Sequence, residues 1–342
     1  MTTARSRGPL PAPLARRMPA PLARRMAAPL LAGVLAGAVP ALVPRSAAAA
    51  APAQQMLTYM PSEMVHSVWS GEQVEGFLGE LSEYDIGQAL LQMPGFKRKG
   101  TLVLPASNEQ MLRVWAASAA RYGEARGQPI VVTAVFNGRL KPKGLNLEVA
   151  SSRANIIAAV KHAVGLGVTG VQLDLEPYPT SSGYIALLEE LDAALDGAGF
   201  AGSLSVVAPA SVWRWTPEYL QRVGALVNQV DPLFYDSEIT SSAEYEEWVE
   251  EGLAYYSANV PAGTAIIPVI PCYSKNPWHN PAVENIPHAT EALRAALESG
   301  SRVEGAGLWW WYAFYEGHLK HADPALERAA WQQQTVNLPF SP

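Results

Sequence analysis

GVQLDLEP, Gly170 to Pro177, places three polar side chains where a buried strand would carry Val, Ile or Leu. Successive side chains of a strand alternate faces, so Gln172, Asp174 and Glu176 share one side while Val171, Leu173 and Leu175 share the other. The apolar side is ordinary packing. Two carboxylates and an amide on the opposite side are costly to desolvate without partners or a purpose, which marks that side as a candidate active site.

Outward from this strand, strand-like and helix-like segments alternate eight times. Before it come MVHSVW (Met64 to Trp69) as a first strand, a helix over 71–84, IGQALLQM (86–93), a helix over 108–126, PIVVTAVF (129–136) and a helix over 151–164. After it come a helix over 182–195, SLSVVAP (203–209), a helix over 217–227, PLFYD (232–236), a helix over 243–256, TAIIPVI (264–270), a helix over 287–300 and GAGLWWW (305–311), with a closing helix over 323–334. Eight βα units in about 290 residues predict a (β/α)8 TIM barrel, an α/β fold. An open doubly wound sheet would carry a glycine-rich phosphate loop after its first strand, and none is present.

The first 51 residues read differently. They hold seven arginines and no acid, followed by an apolar run from Ala27 to Val43 and the small-residue tract SAAAAAPA at 46–53. This pattern predicts a secretory signal peptide and basic leader over 1–51, a single barrel domain over 52–342, and a secreted or periplasmic protein. The apolar run is short, is broken by Pro40 and lacks a basic stop signal, which speaks against a membrane anchor. PAPLARRM occurs twice in tandem, at 11–18 and 19–26, so Met18 and Met26 are alternative starts, and the twin arginines leave the export route open.

The whole chain has a formal net charge of −6, and the barrel without its leader is more acidic by the seven lost arginines. An acidic domain repels nucleic acid and anionic lipid, so neither is expected as a partner. The single cysteine, Cys272, cannot form an intramolecular disulfide and reads as a buried spectator thiol. The six histidines show no zinc-ligand spacing, and no metal or organic cofactor is implied.

In a barrel the chemistry sits at the C-terminal ends of the strands. Those ends carry Trp69, Asn137, Asp174 with Glu176, Trp213 with Trp215, Tyr235 with Asp236, Tyr273, and Trp309 with Trp311, and the seventh loop adds Trp278 and His279. Asp174 and Glu176 stand about 6 to 7 Å apart at their α-carbons. A charged Asp174 is expected to raise the carboxyl of Glu176, as a general acid requires. For each tryptophan other than Trp309, core packing and a sugar-stacking role remain alternatives.

TGVQLDLEP resembles the fourth-strand signature D-G-x-D-x-D-x-E of family-18 glycoside hydrolases, the chitinases and related N-acetylglucosaminidases. LFYD (233–236) is similar to the family's sixth-strand M-x-Y-D, and GAGLW (305–309) resembles its eighth-strand segment. The resemblance implies that Glu176 is the acid, that Asp174, Tyr235 and Asp236 hold the substrate acetamido group, and that Trp309 floors the subsite at the cleaved bond. Gln172, Trp311, Tyr273 and Trp213 complete the expected substrate contacts. Thr169, Gln172 and Leu233 stand where the family has Asp, Asp and Met.

The expected activity is therefore substrate-assisted, retaining hydrolysis of an N-acetylhexosamine polysaccharide such as chitin or peptidoglycan glycan, by a monomer. Three alternatives stay open: a non-catalytic carbohydrate-binding barrel, a glycosidase of another barrel family, and a metal-dependent enzyme using Asp174, Glu176 and Asp236 as oxygen ligands.

Overall fold

The computed structural model describes residues 55–127, 129–140, 144–212, 214–273, 278–309, 324–335 and 338–340. The leader over 1–51, Trp213 and Trp311 lie outside the described residues. Strands β1 (Gln55–Met60), β2 (Gln88–Gln92), β3 (Val131–Arg139), β4 (Gly170–Glu176), β5 (Ser203–Pro209) and β6 (Gln229–Leu233) pair in sequence order. β6 pairs with β7 (Ala265–Ile266) and β8 (Val269–Pro271), β8 with β9 (Gly305–Trp309), and β9 with β1. Every pairing is parallel, so the sheet closes into an eight-staved barrel with β7 and β8 as two halves of one stave. The break falls at Pro268, which has no N–H to give to the ladder.

Helices α1 (Glu63–His66), α2 (Gly71–Glu83), α3 (Ala106–Arg126), α4 (Ala150–Gly165), α5 (Ser182–Asp196), α6 (Pro217–Gly224), α7 (Ser242–Asn259), α8 (Ile286–Glu298) and α9 (Pro324–Thr335) accompany the strands. Their starts are written locally. Ser70 and Gln73 form a reciprocal capping box on α2, Thr216 caps α6 just before Pro217, and Asn285 caps α8. Among the described residues no helix is long and apolar enough to cross a membrane.

Two apolar layers result. Leu57, Tyr59, Leu90, Val135, Val207, Leu233, Ile267 and Val269 fill the barrel interior, while a larger cluster lies between the strands and the helices. Both faces of each strand are covered, the condition under which parallel strands lose a clean polar–apolar alternation. Gly307 is needed at the tight inner wall, where a Cβ would come within 2.4 Å of Leu57 Cδ1.

The first strand departs from the sequence expectation. Alternation in MVHSVW suggested a strand at 64–69, but the stave is QMLTYM at 55–60, buried throughout from Met56 to Met60. Met64 and Val65 are instead the buried side of α1. Trp69 accordingly stands away from any strand end: its ring packs edge-on against Phe77 and its indole N–H donates to the Glu63 carbonyl. The sixth strand is also displaced, from the expected 232–236 to Gln229–Leu233. Its two polar residues, Gln229 and Asp231, fall before the expected strand yet are buried inside the barrel.

Candidate active site

β4 carries the site from the interior to the mouth. Gln172 is fully buried, Asp174 is partly buried one pleat higher, and Glu176 reaches solvent at the strand's end, joined to Pro177 by a cis peptide. On β3 the residues in register are Val135, Asn137 and Arg139. Burial raises Asp174 to about 7, with the neighbouring Glu176 charge adding to the effect. Glu176 is also raised, first by desolvation, with Arg139 opposing and Asp236 reinforcing. The stronger perturbation thus falls on Asp174 and not on Glu176, because depth in the barrel outweighs their mutual repulsion.

β6 delivers the opposite wall. Phe234 points outward and is fully buried; its ring lies against Gly252 of α7, where a Cβ would approach Phe234 Cε1 to 2.6 Å, and Tyr245 donates its hydroxyl to the Phe234 carbonyl at 2.9 Å. With Phe234 fixed outward, alternation turns Tyr235 inward, where its ring stacks on Trp309 at 5.9 Å and meets Tyr273 edge-on. Tyr59 of β1 completes this aromatic group, edge-on to Trp309 at 4.8 Å.

Asp236 sits in the left-handed region at φ 56°, unusual for a residue with a side chain. Glu284, a buried residue 48 positions later, holds it there by accepting the Asp236 N–H at 2.7 Å. The same carboxylate accepts the Ser237 N–H and hydroxyl and a hydrogen bond from His279 Nδ1 at 2.8 Å. His279 stacks on Tyr273 at 4.2 Å, and Tyr273 donates to Asp236 Oδ1 at 2.5 Å. Burial raises the Asp236 carboxyl, against the lowering effects of the Tyr273 bond and of His279.

Beneath the mouth lies a polar layer. Gln172 Nε2 donates to Asp231 Oδ2 at 2.5 Å and to Ser205 Oγ at 3.2 Å, and Gln229 Nε2 donates to both Asp231 oxygens. Gln172 therefore supports the site from below and does not line it.

The structure brings Asp174, Glu176, Tyr235, Asp236, Tyr273 and Trp309 to one end of the barrel. Trp215, considered for a subsite, is a core residue: it is 1% exposed and its indole N–H donates to the Pro179 carbonyl. Trp278 is 57% exposed, whereas its neighbour His279 is buried against Glu284 instead of forming an outer wall. Cys272 is buried, as expected of a spectator. Sequence reasoning missed four residues. Tyr59 was hidden by the misplaced first strand, Asp231 by the displaced sixth, and Glu284 by its loop. Tyr178, raised by burial and then by Glu176 and Asp174, follows Pro177 directly and was legible from its place beside the motif.

Asp236, His279 and Glu284 offer ligand atoms within 4.8 Å of one another. Their chemistry fits a cation poorly, since the four donors on Glu284 occupy the lone pairs that a metal would need.

No family model matches the chain, and no curated protein matches it. Solved structures do share its fold. A chitinase from Bacteroides thetaiotaomicron superposes over 83% of this chain and 97% of its own, with a TM-score of 0.59 at 12% identity. The spore cortex-lytic enzyme SleL of Bacillus megaterium covers 84% of this chain and 75% of its own, at 0.58 and 13%. An endo-1,4-beta-mannanase from Rhizomucor miehei covers 84% and 96%, at 0.57 and 10%. The fold is a (β/α)8 barrel similar to that of these chitinases. Identities this low establish the fold alone.

Proposed function

We propose that the protein is an exported, monomeric glycoside hydrolase that cleaves an N-acetylhexosamine-containing polysaccharide. The observation that carries this reading is the placement of Asp174 and Glu176 on one inward face of β4, at the C-terminal mouth, with burial raising both carboxyls. A pair so raised retains a proton at neutral pH that two solvated carboxyls would have lost. Glu176, the member that reaches the mouth, protonates the leaving oxygen. Asp174 and Tyr235, with Asp236 set by Tyr273 and Glu284, hold the 2-acetamido group so that its carbonyl oxygen attacks the anomeric carbon. The substrate then supplies the nucleophile and the product retains its configuration. Trp309, stacked on Tyr235, gives the sugar an apolar floor.

The mannanase likeness supports a second reading, a barrel glycosidase that uses two enzyme carboxylates on a sugar without an acetamido group. Hydrolysis of chitin oligomers, peptidoglycan glycan and mannan, with early products followed by NMR, separates the two. The first reading expects retained products from 2-acetamido sugars only. Equal rates on 2-hydroxy sugars, or an inverted product, would remove it.

A further inference from the structure

Among the described residues, four polar side-chain atoms in the barrel interior have no hydrogen-bond partner: Tyr59 Oη, Asn137 Oδ1, Gln172 Oε1 and Asp174 Oδ1. Tyr59 lies beside the Gln172 amide and within electrostatic reach of both Asp174 and Asp231. Each unmade bond in such a place costs about 1–3 kcal/mol, so four together call for an explanation. Asp231, meanwhile, is a fully buried acid to which the hydrolytic scheme gives no task.

The orientation of the Gln172 amide connects these facts. Its NH2 is held on the β5 and β6 side by Ser205 and Asp231, which fixes Oε1, a pure acceptor, on the other side. Asp174 is the next inward residue of the same strand. An ionised Asp174 would add a second pure acceptor to Oε1, and Tyr59 has only one hydroxyl proton to give, so one of the two would go unpaired. A neutral Asp174 has an O–H, for which Gln172 Oε1 is an acceptor, and the Tyr59 proton is then left for the other Asp174 oxygen.

We propose that Asp231 is a positioning residue for Asp174: by anchoring the Gln172 amide it presents an acceptor beneath Asp174 and holds that residue as the neutral acid until substrate arrives. A carboxyl on the sixth stave, itself raised by burial against the lowering effect of its bonds from Gln229 and Gln172, thus acts on the fourth through an amide, with no proton passing between them. The proton stays on Asp174 and only its acceptor is set. The catalytic consequence rests on the hydrolase reading above, whereas the resting state of Asp174 does not.

The surroundings of Asp174 agree with this assignment. It is faced by Tyr59 from β1, Asn137 from β3, Glu176 and Tyr178 from its own strand and loop, and Tyr235 just beyond β6, with Tyr184 of α5 behind. Burial raises all four tyrosines, so they stay neutral and add no charge at neutral pH. Arg139 and Asp236 act on Glu176, one residue removed. The Asp174 value of about 7 is consistent with a neutral resting acid in weakly acidic solution.

The test is a titration of the free protein, so it succeeds or fails whether or not hydrolysis is found. Aspartate carboxyl carbons are labelled with 13C and followed by NMR against pH, Asp174 being assigned as the signal lost in Asp174→Asn. Asp231→Leu frees the amide to turn its NH2 toward Asp174, and the midpoint is expected to fall by about one pH unit or more, a tenfold change in ionisation constant. Asp231→Asn keeps an acceptor for Gln172 without the charge and is expected to hold the midpoint within about 0.3 unit. In a Gln172→Met background, Asp231→Leu is expected to have no further effect. An unmoved midpoint in folded Asp231→Leu overturns the proposal; so does an equal shift in Asp231→Asn, which would mean charge alone, or a full shift in the Gln172→Met background. Should Asp231→Leu not fold, the side-chain amide of Gln172 in the wild-type protein decides. Anchored on Asp231 and Ser205, its protons exchange slowly with solvent, and exchange as fast as that of surface glutamines overturns the assignment.

Discussion

The carboxylate of Glu284 accepts the backbone N–H of Asp236 at 2.7 Å and so fixes a residue that would otherwise avoid its left-handed conformation. Because Glu284 belongs to the seventh loop and Asp236 follows the sixth strand, the bond fastens two loops into one wall of the site. Glu284→Ala removes the acceptor for two backbone N–H groups, a hydroxyl and a buried imidazole. The expected cost is about 2–4 kcal/mol of unfolding free energy, with turnover falling further than the loss of folded protein explains. Urea denaturation beside active-site titration checks both parts.

Glu176→Gln keeps shape and hydrogen bonding but cannot deliver a proton. We expect turnover to fall by about 10²–10⁴, the range ascribed to a general acid, while oligosaccharide affinity and the melting temperature stay near wild type. Isothermal calorimetry with the substrate, beside steady-state kinetics, reads the two effects separately. Unchanged turnover would sink the assignment of Glu176.

Asp174→Asn is expected to stabilise the protein at alkaline pH. The folded-state value of Asp174, about 7, lies above that of an unfolded aspartate. Its favourable contribution is therefore fully present below about pH 4 and is lost as pH rises toward and through 7. Asparagine does not titrate, so relative to wild type it should gain roughly 2–4 kcal/mol between pH 4 and pH 8. Urea unfolding at the two pH values checks this, and a variant that gains nothing at pH 8 contradicts the burial of that carboxyl. Activity should be lost in the same variant, a conflict between stability and function of a common kind.

Trp309→Ala removes a ring that packs on both Tyr59 and Tyr235. An aromatic contact is worth about 0.5–1.5 kcal/mol beyond area, so KM should rise roughly two- to tenfold from a lost sugar-stacking surface. Trp309→Phe should recover most of that loss. Kinetics on soluble oligosaccharides show whether the effect is on KM, as expected, or on kcat alone, which would place the ring elsewhere in the reaction.

The sequence by itself determined the alternation of eight strands with helices, and with it the barrel, because period-2 and period-3.6 apolar patterns are local properties of the chain. It also placed Asp174 and Glu176 on one inward face, since strand alternation needs no tertiary information. It failed where a strand is buried on both sides. QMLTYM at 55–60 and the Gln229–Leu233 strand show no clean alternation, so the neighbouring segments were preferred and Tyr59 and Asp231 escaped notice. Only the tertiary structure decided which tryptophans are core, as Trp215 is, and which carboxylate is more perturbed, because both depend on depth. It alone brought Asp231 to Gln172 across 59 positions and Glu284 to Asp236 across 48. Bonds over such separations exist only when the barrel closes, and closure is a property of the whole chain.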